Sequence, residues 1–257
     1  MELDHTFQLE FSHTALPRNK LFNRETKVFL KDIVAKRIVL IFGALLGCMP
    51  LAICPIAKAA YPDRPIKVIV PFAPGGGTDL VARTIALTMT EELRQPIVID
   101  NKPGGSTVVG TDALAKSPPD GYTLVVATFA HAVNPSLKTK LPYSQDKDFA
   151  PVILVGVSPN VVVVSANSPY KTFSEFLAAA KANPGKLSYA SQGGGTSAHL
   201  AGELFNSMTG AKLIHVPYKG AGPALTDVIG GQVDVMFATA SAVGSLVDGG
   251  KLRALAV

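Results

Sequence analysis

The chain has 257 residues, of which 47% are hydrophobic and 17% are charged. This length allows one large domain or two lobes of roughly 100 to 150 residues, and the composition is typical of a globular α/β protein. The net charge is +5, but from residue 61 onward 16 Lys and Arg stand against 14 Asp and Glu, so nucleic acid is not indicated as a partner. Both cysteines, Cys48 and Cys54, precede residue 60, so the rest of the chain needs no disulfide and no Cys-ligated metal.

Residues 1–60 are predicted to be a leader. A basic flank precedes the short apolar run Ile38–Ile53, and small residues follow, which is the pattern of a secretory signal peptide cleaved near Ala60. Two alternatives stay open. A permanent membrane anchor is disfavoured by Pro50 and by a run shorter than the roughly 20 residues that a span needs, and a lipid on Cys48 would make a lipoprotein. The first thirty residues are atypical of a leader and indicate a true start near residues 28–30.

From residue 61 the pattern alternates between strands and helices, with Gly and Pro turns between them. Such alternation predicts βαβ units and a parallel sheet with helices on its faces. We expect a first lobe over 61–158, with strands at 66–72, 96–101 and 122–130 and helices at 79–93 and 110–117.

A second lobe is predicted over 159–257. Two apolar strand candidates stand on either side of Ser158 and Pro159, a join that we interpret as a hinge. Thr172 is expected to be the N-cap of a helix that ends at Pro184-Gly185. Further strands are expected at 186–191, 212–218, 233–239 and 252–257, and helices at 196–210 and 222–231. Because the chain ends inside an apolar strand, we expect a C-terminal part to be absent.

Two Gly-rich turns carry the main functional signal. The stretches "VPFAPGGGTDLVARTI" (70–85) and "YASQGGGTSAHLAGELF" (189–205) each place Gly-Gly-Gly-Thr between a strand and a helix. Backbone N–H groups at a helix start favour an anion, and in doubly wound sheets such turns lie at the ligand-binding edge. The alternative is that the glycines only permit tight turns. A P-loop is disfavoured because Gly77 is followed by Thr-Asp rather than Lys-Ser/Thr.

Individual side chains leave alternatives open. Thr78 and Asp79 either cap their helix or contact the ligand, and His199 either faces the ligand or bonds locally. Asn134 is either a side-chain donor after the third strand or the start of a turn before Pro135. The histidines show no metal-binding spacing, and the chain has no nucleophile elbow and no conspicuous carboxylate pair, so catalysis is not predicted.

Taken together, several motifs resemble the Bug family, the periplasmic substrate-binding proteins of tripartite tricarboxylate transporters. They are "YPDRPIKVIVPFAPGGGTDLVAR", "NKPGG", "PPDGYTL", "LPY" with "DFAPV", "YASQGGGTSAHLAGELF", "HVPYKGAGPALTDVIGGQVDVMF" and "LRALAV". The similarity covers nearly everything from Tyr61 to Val257. One departure is that the third Gly-rich turn continues through Val108, where many members have Asn, which puts a side-chain contact there in doubt.

The resemblance implies a type II periplasmic binding fold, with two doubly wound lobes joined by a hinge and the C-terminal return to the first lobe missing. It also implies a monomer without a cofactor that closes on a small carboxylate. We therefore expect the fragment alone to be poorly stable or inactive. The ligand-binding positions implied are Phe72, Ala73, Pro74, Gly75, Gly76, Gly77, Thr78, Asp79, Thr128, Asn134, Ser191, Gln192, Gly193, Gly194, Gly195, Thr196, His199, Tyr218, Lys219, Gly220 and Thr239.

The leading functional hypothesis is a periplasmic solute-binding protein for an organic carboxylate, such as a di- or tricarboxylate, an acidic amino acid or an aromatic acid. Its expected partners are membrane permease subunits. Two alternatives are kept: a receptor that presents the ligand to a membrane sensor kinase, and an enzyme that acts on a carboxylate. Lys219 either adds positive charge to the site or is solvated.

Overall fold

The computed structural model describes residues 61–257, so the predicted leader, with Cys48 and its lipidation, lies outside the described residues. Eight strands and seven helices are described there. The strands are β1 (Ile66–Val70), β2 (Ile97–Asn101), β3 (Thr123–Val125), β4 (Asn160–Ser165), β5 (Ser188–Ser191), β6 (Ile214–Pro217), β7 (Val235–Thr239) and β8 (Leu252–Ala256). The helices are α1 (Gly77–Leu93), α2 (Val108–Ala115), α3 (Phe129–Leu137), α4 (Phe173–Ala182), α5 (Ser197–Thr209), α6 (Ala221–Ile229) and α7 (Ala240–Asp248).

The first sheet has three parallel strands in the order β2-β1-β3. The central strand β1 is apolar and almost wholly buried, as expected for a parallel strand with both faces covered. Its local core is small, with Val70, Phe72 and Ala82 packed together and Ile99 and Val126 at the margin. The parallel arrangement predicted for this part of the chain is confirmed.

The second sheet has five strands in the order β6-β5-β7-β4-β8. Strand β5 is parallel to β6 and β7, but β4 runs antiparallel to both β7 and β8, so the expectation of a wholly parallel sheet is wrong here. The helix α7 connects β7 to β8 as a parallel crossover, and β4 lies between these two strands. Since β4 enters from the long connection after α3 and not from a crossover helix of its own sheet, it is not constrained to the same direction.

Helices cover both faces of the second sheet, which makes it doubly wound. Val161 and Val163 of β4 face one core layer with α6 and α7, while Val162 and Val164 face the other with α4 and α5. This alternation follows from the two-residue repeat of a strand. The predicted N-cap at Thr172 is confirmed, with a capping box completed by Glu175.

Three local predictions are wrong. The strand predicted over 122–130 ends at Val125, and Asn134 with Pro135 lies inside the helix α3 rather than in a turn. A continuous apolar run does not distinguish a buried strand from the start of a helix. The strand expected before Ser158 is also absent, because residues 151–158 find no pairing partner among the described residues and leave Val152–Val157 exposed.

The helix α7 was not anticipated. Its signal was present, because Val243, Leu246 and Val247 recur at helical spacing and pack on the same core layer. Within residues 61–257, the search for membrane-spanning helices returned none of sufficient length and apolarity.

Candidate functional site

The first glycine loop, residues 72–79, connects β1 to α1. The N-cap of α1 is Gly76, in an extended conformation, and it offers no side-chain cap to the helix. The first-turn N–H groups of a helix have no intrahelical partner. An uncapped start of this kind therefore presents backbone donors and the positive end of the helix dipole to a ligand.

Asp79 fixes the shape of the first glycine loop. Its carboxylate is buried and accepts hydrogen bonds from the Gly75 N–H at 3.1 Å, Arg83 Nε at 3.0 Å and Asn101 Nδ2 at 2.9 Å. Burial by itself raises the pKa of Asp79, but the hydrogen bonds from Arg83, Gly75 and Asn101 and the charge of Arg83 outweigh it and lower the pKa. Asp79 thus holds the loop as an ionised, already partnered group, and its contact with a ligand stays a prediction.

The second glycine loop, residues 191–196, is held by its own side chains. Thr196 caps α5 by accepting the His199 N–H, and its hydroxyl donates to the Gly193 carbonyl at 2.7 Å. The Gly193 N–H donates to Ser191 Oγ at 3.1 Å, and the Gly195 N–H donates to His199 Nδ1 at 3.1 Å. Several donors of this loop are therefore engaged internally.

A buried imidazole pair lies behind the second glycine loop. The rings of His199 and His215 are 4.3 Å apart, and His215 Nε2 is 2.7 Å from Ser191 Oγ. Since His199 Nδ1 accepts a backbone N–H, this histidine is the neutral tautomer with its proton on Nε2. Burial, then repulsion from His199, lowers the pKa of His215, and Glu203 partly opposes this. Glu203 in turn accepts the hydroxyl of Tyr189, which stacks on His215.

Close backbone approach joins the first glycine loop to the second sheet. The Ala73 N–H donates to the Lys219 carbonyl at 2.9 Å. A methyl group built on Gly220 would lie 2.9 Å from the Ala73 nitrogen, and one on Gly77 would lie 2.4 Å from Ser241 Oγ. These two glycines are thus required for packing, and the alternative that the glycines serve tight structure holds for part of the motif.

Asn134 links α3 to the third Gly-rich turn. Its side chain is fully buried, and Nδ2 donates to the Ser106 carbonyl at 3.0 Å and to Thr107 Oγ1 at 3.1 Å. Ser106 and Thr107 have φ angles of 56° and 78°, an unfavourable left-handed conformation for such residues. Methyl groups built on Gly193 or Gly194 would lie 3.5 Å from Ser106 Oγ. The third turn therefore faces the second glycine loop.

The remaining predicted positions take different places. Phe72 packs in the core and offers its carbonyl to Asn101, while Thr128 is the N-cap residue of α3. The Tyr218 hydroxyl donates to Asp227, and burial followed by this contact raises the pKa of Tyr218 to about 12. Lys219 meets Ala73 through its carbonyl, while the residue as a whole is exposed.

Other predicted positions lie along the two loops and their neighbours. A methyl group built on Gly222 would lie 2.5 Å from the Pro74 carbonyl oxygen, and Thr239 Oγ1 is 3.1 Å from one built on Gly77. Thr78 is in the first turn of α1. Gln192 in the second loop has a buried Oε1 with no hydrogen-bond partner within residues 61–257.

The residues that support the two loops were not all visible in the sequence. Asn101 and Arg83 hold Asp79, Ser106 faces the second loop, and His215 stands behind it. Asn101 had a usable signal, since it ends a parallel strand at the edge where ligands bind. The contact between Asn134 and Ser106 spans 28 residues and had no local signal.

Comparisons with known proteins agree with this architecture. Residues 81–257 match the family described as "Tripartite tricarboxylate transporter family receptor". The chain is 40% identical over 223 residues to Protein BugT of Bordetella pertussis, covering 86% of this chain and 68% of BugT. Among curated relatives of this kind, the chain spans 59% to 68% of their length.

Two solved structures come from Rhodopseudomonas palustris. Rpa4515 with adipate is 36% identical with a TM-score of 0.73, and MatC with bound malate is 37% identical with a TM-score of 0.69. In both cases the match covers 76% of this chain and 66% of the other. The fold is that of type II periplasmic binding proteins, and the chain belongs to the Bug family of tripartite tricarboxylate transporter receptors.

Proposed function

We propose that this protein is an extracytoplasmic receptor that holds a small organic carboxylate between its first and second glycine loops and delivers it to a tripartite tricarboxylate-type transporter. Binding makes and breaks no covalent bond. A hinge near residue 158 closes the two lobes, 61–158 and 159–257, over the ligand, and the closed form is the one that the partner recognises.

The observation that carries the proposal is the uncapped start of α1 opposite the second sheet. Gly76 provides no side chain, so first-turn N–H groups are available to a carboxylate. Asp79 does not oppose an anion strongly because Arg83 pairs with it at 3.0 Å. The second glycine loop and Ser106 then close the other side, with a shape fixed by Ser191, Thr196 and His199 before the ligand arrives.

The family supports the same chemistry. Its members are receptors, and two relatives with 36% and 37% identity were solved with adipate and with malate. Both ligands are dicarboxylates, so an anion site built from backbone donors fits them. We extend this ligand class to the present chain and assign it a periplasmic location after removal of residues 1–60.

The partner is the less determined part of the proposal. Delivery to a membrane permease follows from the family description, and presentation to a sensor kinase is the alternative. Co-purification with permease subunits would support transport. An enzymatic role predicts turnover of the bound acid, and we expect the acid to be recovered unchanged.

A charge placed at Ser106 tests the site directly. Ser106 has a left-handed backbone that both Asp and Asn tolerate better than Ser, so Ser106→Asp and Ser106→Asn form a matched pair. Repulsion between the new carboxylate and the ligand should cost about 2 kcal/mol, or roughly 30-fold in Kd. Succinate affinity measured by calorimetry should fall for Ser106→Asp and change little for Ser106→Asn. Equal affinities in the two variants would place the carboxylate elsewhere.

A further inference from the structure

Asn134 carries a buried acceptor whose partner is missing. Its side chain is 0% exposed, and Oδ1 has no hydrogen-bond partner among residues 61–257. A buried polar atom left unpaired costs roughly 1 to 3 kcal/mol. A fully buried Asn with half of its amide unused therefore indicates a group that is supplied from outside the described chain.

The orientation of the amide is fixed by its neighbours. Nδ2 donates to the Ser106 carbonyl, which can only accept, so the nitrogen must face Ser106 and the oxygen must face the other way. A flip of the amide would set two acceptors against each other. Asn134 was considered above as a candidate donor, but its donor group is engaged and its free group is an acceptor.

The free oxygen faces the second glycine loop. A methyl group built on Gly195 would lie 3.7 Å from Asn134 Oδ1, which places this atom at the boundary between α3 and the loop. The nearby Gly195 N–H does not serve it, because it donates to His199 Nδ1. The Thr196 hydroxyl is also engaged, with the Gly193 carbonyl.

A second unpaired acceptor belongs to the same loop. Gln192 Oε1 is buried and has no partner within the described part of the chain. The two glycine loops thus combine main-chain donors, which suit a carboxylate, with two side-chain carbonyls, which suit a hydrogen-bond donor. A ligand with only carboxylates would satisfy the first group and leave the second unpaired.

We infer that Asn134 is a specificity-determining residue that accepts a hydrogen bond from a hydroxyl of the ligand, with Gln192 as a second acceptor, so that the receptor prefers a hydroxycarboxylate to the unsubstituted acid. This inference rests on the proposed function. The ligand enters before the loops close, since Oδ1 is sealed from solvent in the present conformation.

A neutral hydroxyl fits better than an ammonium group. A cation would need an unpaired carboxylate nearby, but Asp79 is paired with Arg83, and Glu203 accepts the Tyr189 hydroxyl. An amino acid ligand would therefore bring a positive charge without a free counter-charge. Malate, succinate and aspartate separate these cases, because they share the same four-carbon dicarboxylate skeleton.

Calorimetry of the full-length secreted chain with these three acids is the test. The hydroxyl should make malate bind about tenfold more tightly than succinate, and aspartate should bind more weakly than malate. Equal affinities for malate and succinate would overturn the inference alone, as would a preference for aspartate. Absence of binding by every acid would overturn the proposed function and this inference with it.

Variants then assign the preference to a residue. The readout is the ratio of succinate to malate Kd within each variant, so a general loss of affinity cancels. Asn134→Leu should reduce the ratio to about 1, and Gln192→Met should reduce it partly; the latter also serves if Asn134→Leu fails to fold. Gln145→Met is the control, because Gln145 Oε1 is likewise buried and unpaired but lies outside both glycine loops. A ratio that survives in both Asn134→Leu and Gln192→Met would mean that Oδ1 is satisfied by water only.

Discussion

The two glycine loops have nearly the same sequence, yet they are held in different ways. In the first loop one buried residue, Asp79, gathers the Gly75 N–H, Arg83 and Asn101, and the helix start itself stays uncapped. In the second loop Thr196 and the other local side chains engage the donors of the loop itself. Similar motifs therefore serve different ends, because the first loop leaves donors for an anion and the second gives a fixed surface.

The surroundings of the loops differ in the same sense. The first loop follows a three-stranded sheet with a small local core, while the second belongs to a five-stranded sheet with core layers on both faces. A loop on a large core keeps its shape when one contact is removed. A loop with one central anchor on a small core should not.

Removing the anchor of each loop should give the largest difference. Asp79→Ala leaves the buried Asn101 amide and the Gly75 N–H short of an acceptor and should lower the free energy of unfolding by about 3 kcal/mol. Thr196→Val removes a helix cap, for which about 1 kcal/mol is expected. Chemical denaturation of both variants measures the difference.

The matched variant Asp79→Asn refines this result, since it keeps an acceptor for Gly75 but loses the charge that pairs with Arg83. Its stability should lie between those of the wild type and Asp79→Ala. If Thr196→Val is instead the more damaging substitution, the contrast between the loops is wrong.

Acid should weaken the second loop through its histidines, with a smaller effect. The folded pKa of His215 is lowered below 6.5 by burial and by His199, so the unfolded chain takes up a proton at higher pH than the folded chain does. The stability that comes from neutral His215 is therefore full above pH 6.5 and is lost as the pH falls through the lowered folded pKa. The melting temperature should decrease by a few degrees over this window.

His215→Gln removes this titration while keeping a polar group in reach of Ser191, so its melting temperature should depend less on pH. Some dependence should remain, because burial also lowers the pKa of His131 in α3. A variant whose acid sensitivity equals that of the wild type would show that His215 is not the titrating group.

The same contrast shows what the sequence could predict. Strand, glycine turn and helix follow from local patterns, so both loops and most elements of the second sheet were predicted correctly. Asn134 was misplaced because an apolar run continues from β3 into α3 without a break in pattern. The antiparallel direction of β4 and the unpaired state of 151–158 depend on which strand edges are available, a property of tertiary structure.

The side-chain wiring of the site was beyond the sequence for a related reason. Contacts such as Asn134 to Ser106 and Asn101 to Asp79 join residues 28 and 22 positions apart, and no spacing rule describes them. The sequence did mark the donors, because a glycine at a helix start is a local feature. It could not show that the second loop engages its own donors.

The account depends most on the claim that a carboxylate binds between the two loops. A thermal-shift panel of mono-, di- and tricarboxylates, with uncharged sugars and cationic amino acids as controls, tests it most directly. We predict that at least one di- or tricarboxylate raises the melting temperature in a concentration-dependent way and that the controls do not. A shift with a sugar or a cation, and none with any acid, would contradict the account.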